Sequence, residues 1–281
     1  MIRVAIQGVN GAFHEIAARE YFINENIEII PCDTFKDVFK EITSQNNIIG
    51  IVAIENTIAG SLLQNHNLLR QSGCTIIGEH KLRIEHHLAA LPGQKLEDIT
   101  EVHSHPIALM QCEDFLEEHH KQLKAVEAED TALAAKEIAE NKIMGRAAIC
   151  SRLATEIYGL EIIAEGIETN KRNFTRFMIV AKPDLAKEMT KKTKIDKSSL
   201  VFTLPHQSGS LSQVLSVLSF YNMNLTKIQS LPILGREWEY QFYINLTFQD
   251  YERYRLALDA IRPLTSDFVI LGEYKDAPTP L

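Results

Sequence analysis

Ile48-Ile49-Gly50-Ile51-Val52-Ala53-Ile54 is an unbroken apolar run, short and rich in β-branched residues. Such a run suits a strand covered on both faces, because a half-exposed strand would alternate polar and apolar side chains. A strand of that kind needs helices on either side, and the flanking sequence supplies them. Ile2 to Gln7 is a short apolar stretch, followed by a turn at Gly8 to Gly11 and helical spacing from Phe13 to Phe22. Ile27 to Pro31 reads as a second strand. Thr34 stands three residues before Asp37, the spacing of a cap for a helix through Ile42. The alternation continues with a helix from Gly60 to Arg70 and a β-rich segment from Thr75 to Leu91. Helices follow near 106–119, 131–140 and 151–158, and an apolar run from Phe174 to Ala181 closes this part. The pattern predicts an α/β fold with a largely parallel sheet over the first 181 residues.

Asp184 to Ser199 changes character: Ala186 to Lys194 is rich in Lys and lacks an apolar face, so 182–198 reads as a solvated linker. Beyond it the order is strand, helix, strand, strand, helix, strand. The strands are Leu200–Leu204, Leu225–Leu234, Trp238–Phe248 and Phe268–Leu271; the helices are Gly209–Phe220, capped by Ser208, and Tyr251–Ile261. This βαββαβ order is the ferredoxin-like plan. A chain of 281 residues accommodates the two domains implied.

Composition narrows the function. Net charge is −8, which argues against nucleic acid as the main partner and means an anion site must be built locally. No stretch approaches the roughly 20 apolar residues of a membrane helix. The N-terminus enters a strand pattern directly, so no secretory signal is expected, and the setting is read as cytoplasmic. Cys32, Cys74, Cys112 and Cys150 lie far apart, as reduced thiols do.

Loops at the carboxyl ends of strands in an α/β sheet are where ligands bind. Asn56 and Thr57 follow the buried strand, and Gly60-Ser61 is read as opening a helix whose free N–H groups suit a carboxylate. Gly8 to Ala12 follows the first strand, but it lacks the spacing of a nucleotide loop. Both places serve equally as plain turns and helix caps. Ser104 and Gln111 are spaced to reach one ligand from a strand–helix junction, or Ser104 simply caps that helix. His14-Glu15 lacks the second His of a zinc motif, and His103-x-His105 has no cluster to complete a tetrahedron, so no metal is expected. In Asn173-Phe174-Thr175-Arg176-Phe177, strand alternation puts Asn173, Thr175 and Phe177 on one face and Phe174 and Arg176 on the other. Arg176 then either binds substrate or ties two lobes together through a carboxylate. A Thr hydroxyl at position 175 is a poor free acid, but it can pass a proton in concert where neighbours stabilise the developing charge.

Several segments together resemble the prephenate dehydratases. They are the Thr-Arg-Phe stretch at 175–177, Glu55-Asn56-Thr57 with Gly60-Ser61, His105-Pro106 with Gln111-Cys112, and Tyr158-Gly159-Leu160, in the family's order. Gly209-Ser210-Leu211 with Asn224-Leu225-Thr226 resembles an ACT regulatory domain. The resemblance implies conversion of prephenate to phenylpyruvate with loss of water and CO2, on the route to L-phenylalanine, with no cofactor. It implies a two-lobed catalytic domain like the periplasmic binding proteins over 1–181, lobe one being 1–78 with 163–181 and lobe two 79–162. An ACT domain at 199–275 follows. Thr175 is implied as catalytic, with Asn56, Thr57, Gly60, Ser61, Ser104, Gln111, Asn173 and Arg176 around the substrate. Gly209, Ser210, Leu211, Asn224 and Leu225 are implied to bind L-phenylalanine as feedback inhibitor, in a dimer or tetramer formed through the ACT domains. Gln229-Ser230-Leu231-Pro232 stands where the family has Glu-Ser-Arg-Pro, which puts the strength of inhibition in question. Arogenate, with an amine in place of the side-chain ketone, is the rival substrate. No chorismate mutase segment is seen before the first strand. The competing classes are a noncatalytic small-molecule receptor and an RNA-binding ferredoxin-like module, the latter disfavoured by the lack of a basic, aromatic strand.

Overall fold

A computed structural model of the chain describes residues 1–278 apart from 234, 237 and 238. The first strands and helices are β1 (Ile2–Gln7), α1 (Phe13–Tyr21), β2 (Ile27–Cys32), α2 (Phe35–Ser44) and β3 (Ile48–Asn56). Every residue of β3 from Ile48 to Ile54 is buried, as a doubly covered strand requires. Thr34 caps α2: its hydroxyl accepts from the Asp37 N–H at 3.2 Å and donates to the Asp37 carboxylate at 2.6 Å. Next come β4 (Gly60–Ser61), α3 (Leu63–Ser72), β5 (Thr75–Arg83), β6 (His87–Ala90) and β7 (Glu101–Ser104). They are followed by α4 (Pro106–Gln111), α5 (Glu113–Glu118), β8 (Lys124–Glu127), α6 (Thr131–Asn141), β9 (Arg146–Cys150), α7 (Arg152–Tyr158), β10 (Glu161–Ala164) and β11 (Phe174–Ala181).

The chain divides into two compact units, Met1–Asn65 with His80–Phe177, and His66–Glu79 with Met178–Pro278. Two sheets organise the first. One has the order β2-β1-β3-β11-β5, and β1 pairs in parallel with both β2 and β3. The other has the order β10-β6-β9-β7-β8 and is mixed: β7 is parallel to β8 and β9, while β6 is antiparallel to β9 and β10. The expected parallel character therefore gives way in this second sheet. β6 is entered straight from β5, a strand of the other sheet, through residues 84–86. The chain passes between the sheets again at 165–173. An alanine-rich face, including Ala132, Ala135, Ala148 and Cys150, lets α6 lie close on the second sheet.

The second unit holds α8 (Pro183–Thr190), β12 (Lys197–Thr203), α9 (Ser210–Phe220), β13 (Asn224–Pro232), β14 (Tyr240–Thr247), α10 (Tyr251–Ile261) and β15 (Ser266–Tyr274). Its sheet order is β13-β14-β12-β15, with every pairing antiparallel, the ferredoxin-like arrangement of the βαββαβ order. Leu200, Phe202, Ile244 and Leu246 of the sheet pack with Val214 and Leu218 of α9 and with Tyr254, Leu258 and Ile261 of α10. The hairpin ends expected at Leu234 and Trp238 lie outside the described residues.

Three local expectations change. The segment read as linker is helical over Pro183–Thr190, because Pro183 starts the helix and Ala186 is buried. Gly209, in the left-handed region at φ +85°, caps α9, and no side chain does so. β12 begins three residues earlier than Leu200, at Lys197, which is buried between two carboxylates: its Nζ lies 2.7 Å from Glu79 and 2.7 Å from Asp276. The far face of this sheet meets residues 66–79 of the same unit. The Gln241 amide donates to Asn67 at 2.7 Å, and Gly272 packs so closely on Ile76 that a Cβ would stand 2.3 Å from the Ile76 carbonyl oxygen.

Candidate active site

A cavity of about 350 Å³ lies in the first unit. One wall is Asn56, Thr175 and Phe177 from the first sheet with His14 of α1; the other includes Gln111 of α4 and Asp130 before α6. Asn56 is the organiser. Its Oδ1 accepts from the N–H groups of Ile58 at 2.9 Å and Ala59 at 2.8 Å, an Asx turn that ends β3. The Gln111 amide adds a third donor to the same oxygen at 3.3 Å. With Oδ1 so engaged the amide cannot turn over, and its Nδ2 must face β11. There it donates to the Asn173 Oδ1 at 2.8 Å and to the Thr175 Oγ1 at 2.9 Å. His86 completes the run: its Nε2 donates to the Gln111 Oε1 at 2.9 Å, so each group donates to the next from His86 to Thr175. Burial pushes the His86 pKa down, which holds the imidazole neutral.

Alternation along β11 follows the sequence. Thr175 and Phe177 line the cavity, while Phe174 and Arg176 line a second space of about 340 Å³ with Glu55, Lys81 and Arg172, which Thr175 also borders. The Arg176 guanidinium pairs at 3.6 Å with Glu55, on β3 of the same sheet. Thr57 also turns from the cavity. Its hydroxyl donates to the Arg172 carbonyl at 3.0 Å and accepts from the Phe174 N–H at 2.9 Å, which fixes the entry to β11. Gly60 and Ser61 open no helix; they form β4, paired back on Asn56 and Glu55, and α3 starts at Leu63. The Ser104 hydroxyl is fully buried and donates to the Ile149 carbonyl at 2.7 Å, neither capping a helix nor lining the cavity. The cap of α4 is His105, whose Nδ1 accepts from the Ile107 N–H at 3.2 Å. Asn56, Gln111, Asn173 and Thr175 are thus brought together, while Thr57, Gly60, Ser61, Ser104 and Arg176 are not among the residues that line the cavity.

The family model for prephenate dehydratase matches residues 4–185. The chain belongs to the prephenate dehydratase family. Arogenate dehydratase 1 of Petunia hybrida is 36% identical to it over 295 residues, spanning 99% of this chain and 68% of the relative. The prephenate dehydratase of Arthrobacter aurescens, solved in complex with L-Phe, superposes with a TM-score of 0.86 at 26% identity, over 98% of this chain and 90% of that one. A solved protein called GqqA, described as a novel type of quorum quenching acylase, also superposes with a TM-score of 0.86, at 29% identity and over 98% of both chains.

Sequence reasoning missed four side chains of this cleft and its surroundings. His86 sits on the crossing between sheets, where no motif flags it. Glu168, fully buried, accepts from the His86 backbone N–H at 3.0 Å and is approached by Arg83 at 3.3 Å, so it holds both crossings together. His14 packs between Phe35 and Phe177, its Nε2 buried with no hydrogen-bond partner among the described residues, and burial lowers its pKa to about 4. Asp130 caps α6 through the Ala132 and Leu133 N–H groups at 2.8 and 3.0 Å. An Asp just ahead of a helix is legible as a cap; its place on the cavity wall is not. Among the described residues no group of three His, Cys, Asp or Glu side chains is arranged to hold a metal, and no helix is long and apolar enough to cross a membrane.

In the second unit the residues read as effector-binding separate into two groups. Gly209, Ser210 and Leu211 stand at the start of α9; Asn224 and Leu225 begin β13, beyond its other end. The Asn224 amide donates to the Thr247 hydroxyl at 3.2 Å.

Proposed function

We propose that this cleft dehydrates and decarboxylates prephenate, giving phenylpyruvate, with arogenate giving phenylalanine by the same chemistry. The observation that carries the reading is the direction of the Asn56–Thr175 hydrogen bond. Asn56 donates to Oγ1, so the Thr175 hydrogen is left to point elsewhere, toward a ligand in the cavity. Thr175 then donates to the departing ring hydroxyl as the C–O bond breaks and water forms. The bond from the ring to its carboxylate breaks at the other end, CO2 leaves, and its electron pair completes the aromatic ring. The Asn56 amide stabilises the negative charge that develops on Oγ1 until solvent returns the proton. His86, Gln111 and Asn173 are positioning residues for Asn56. The apolar surface of buried Phe177 and half-buried Phe13 and Phe35 excludes water and faces the ring.

An acylase reading, suggested by GqqA, finds less support. Thr175 has no imidazole or carboxylate among the described residues to take its proton. The four cysteines are buried, and burial pushes the Cys112 and Cys150 thiols up to about 12. Four free thiols accord with a cytoplasmic setting.

The second unit is read as an ACT-type regulatory domain that binds L-phenylalanine. Its sheet order supports this, as does the L-Phe complex of the Arthrobacter relative. An α-helix the length of α9 separates Gly209 from Asn224 by roughly 16 Å, more than one amino acid spans. One effector touching both groups would therefore need two copies of the chain, which supports a homo-oligomer. Turnover of prephenate and of arogenate, followed as phenylpyruvate or phenylalanine with and without added L-phenylalanine, tests all of this. No product from either substrate would sink the dehydratase reading, and unaltered rates with phenylalanine would sink the regulatory one.

A further inference from the structure

The charge around the cavity is one-sided. Glu129 and Asp130 are on its wall, and among the described residues no Lys or Arg is. Arg176 shares β11 with Thr175 but lines the space on the other side, next to Glu55. The imidazoles do not supply the missing cation. His105 spends Nδ1 on accepting the Ile107 N–H, and the group its ring acts on electrostatically is Asp130 itself. His14 and His86 are held neutral by burial. A small dianion would enter this space with no formal positive charge to meet it, and with two carboxylates against it.

Asp130 is built to present one oxygen. Oδ1 receives the Ala132 and Leu133 N–H groups, which fix the carboxylate at the start of α6. Oδ2 has no donor among the described residues, and it lies across from Gly8, where a Cβ would come within 3.0 Å of it. Gly8, at φ +98°, is the residue that leaves room there. The result is a rigid, half-buried carboxylate oxygen facing the space above Thr175 and Asn56, a place for a cationic donor rather than an anion.

Prephenate and arogenate differ at one group: a side-chain ketone in the first is an ammonium in the second. We infer that Asp130 selects the aminated substrate, Oδ2 receiving its side-chain ammonium, so that arogenate is preferred to prephenate. The assignment rests on the dehydratase reading above. A ketone offers no proton to Oδ2 and would leave the carboxylate unpaired beside a second acceptor, so discrimination comes from both sides. Glu129, exposed at the rim, adds only to the general field.

The test is kcat/KM for arogenate and for prephenate, measured on the full chain near neutral pH, for the wild type, Asp130→Asn, Asp130→Ser and Glu129→Gln. Asn and Ser both cap helices well, so α6 should persist, and melting temperatures check it. The expected result is a wild-type preference for arogenate that falls about 10- to 100-fold in Asp130→Asn, the range for a hydrogen bond to a charged group. Asp130→Ser should behave likewise, and Glu129→Gln should change the preference by about twofold or less. A wild type that prefers prephenate overturns the inference, as does an unchanged ratio in both folded Asp130 variants. An effect of Glu129→Gln equal to that of Asp130→Asn overturns the Oδ2 contact in favour of a diffuse field. Absence of turnover with either substrate removes the dehydratase reading, and this inference with it.

Discussion

The Asn56 side-chain amide donates to the Thr175 hydroxyl oxygen at 2.9 Å, and three donors on the Asn56 Oδ1 fix that direction. The two residues are 119 positions apart and sit on neighbouring strands of one sheet. A threonine approached this way is an acceptor toward the scaffold and a donor toward the cleft. On the proposed reading, its reactivity is set by an amide whose own orientation is set by a backbone turn.

Reversing that polarity without changing shape is the most direct check. In Asn56→Asp one carboxylate oxygen keeps the Ile58 and Ala59 N–H groups, and the other replaces Nδ2 opposite Thr175. The Thr175 hydroxyl then donates to that second oxygen, and its proton is turned away from the cleft. We expect kcat to fall by about 10²–10³-fold, the scale of one lost oxyanion donor, with KM less affected. A variant with kcat within threefold of wild type would remove Asn56 from this role.

Thr175 itself separates proton donation from cavity shape. Thr175→Ala should retain the fold and bind substrate, yet lose about 10²–10⁴-fold in kcat, the usual range for general acid assistance. Thr175→Ser keeps the oxygen but loses the methyl group that holds its rotamer, and should recover most of that loss. Steady-state kinetics with calorimetric binding read both. Equal activity in the Ala and Ser variants would show that the hydroxyl is not used.

Most of this arrangement is legible where the cause is local, and it fades where the cause is distant. The apolar run at 48–54, the Thr34 cap and the alternation at 173–177 depend on neighbours in sequence, and the structure repeats them. Helix α8 reads as linker because its apolar contribution is slight, with Ala186 its only buried residue. Lys197 falls in that same linker reading, because a lysine predicts solvent unless its partners are known. Those partners, Glu79 and Asp276, are 118 and 79 positions away. Ser104 and Gln111 are alike in polarity and close in sequence, yet only Gln111 reaches the cavity. The Ser104 hydroxyl faces β9, a direction fixed by the second sheet's pairing rather than by spacing.

His14 gives the site a pH signature in stability. Its folded pKa is about 4, well below the usual histidine value of 6.5, because burial disfavours the charged ring. As pH falls below 6.5 the unfolded chain takes up a proton that the folded chain refuses until about pH 4. Stability is therefore complete above pH 6.5 and is lost as pH falls toward 4. The loss from this residue is about 2–3 kcal/mol between roughly pH 7 and pH 4.5. His86, also lowered by burial, acts in the same direction. His14→Phe, which keeps an aromatic ring between Phe35 and Phe177, should flatten this part of the profile by about that amount in urea denaturation. A slope unchanged from wild type would mean that the ring is charged, or solvated, in the folded state.

Gly209 offers a way to detach regulation from catalysis. It stands at φ +85° ahead of α9, and a Cβ there would meet nothing within 4 Å, so the cost of a side chain is conformational rather than steric. A β-branched residue tolerates that region poorly, at roughly 1–3 kcal/mol, and relieves it by turning the peptide out of line with the helix start. The Leu211 N–H at the helix start would then no longer be aimed at an effector carboxylate. For Gly209→Val the expected outcome is inhibition by L-phenylalanine weakened at least tenfold, with uninhibited kcat/KM within about twofold of wild type. Gly209→Ala, with a smaller penalty in the same region, should fall between. Inhibition curves that superpose on wild type in both variants would place the effector away from the start of α9, whatever the oligomeric state.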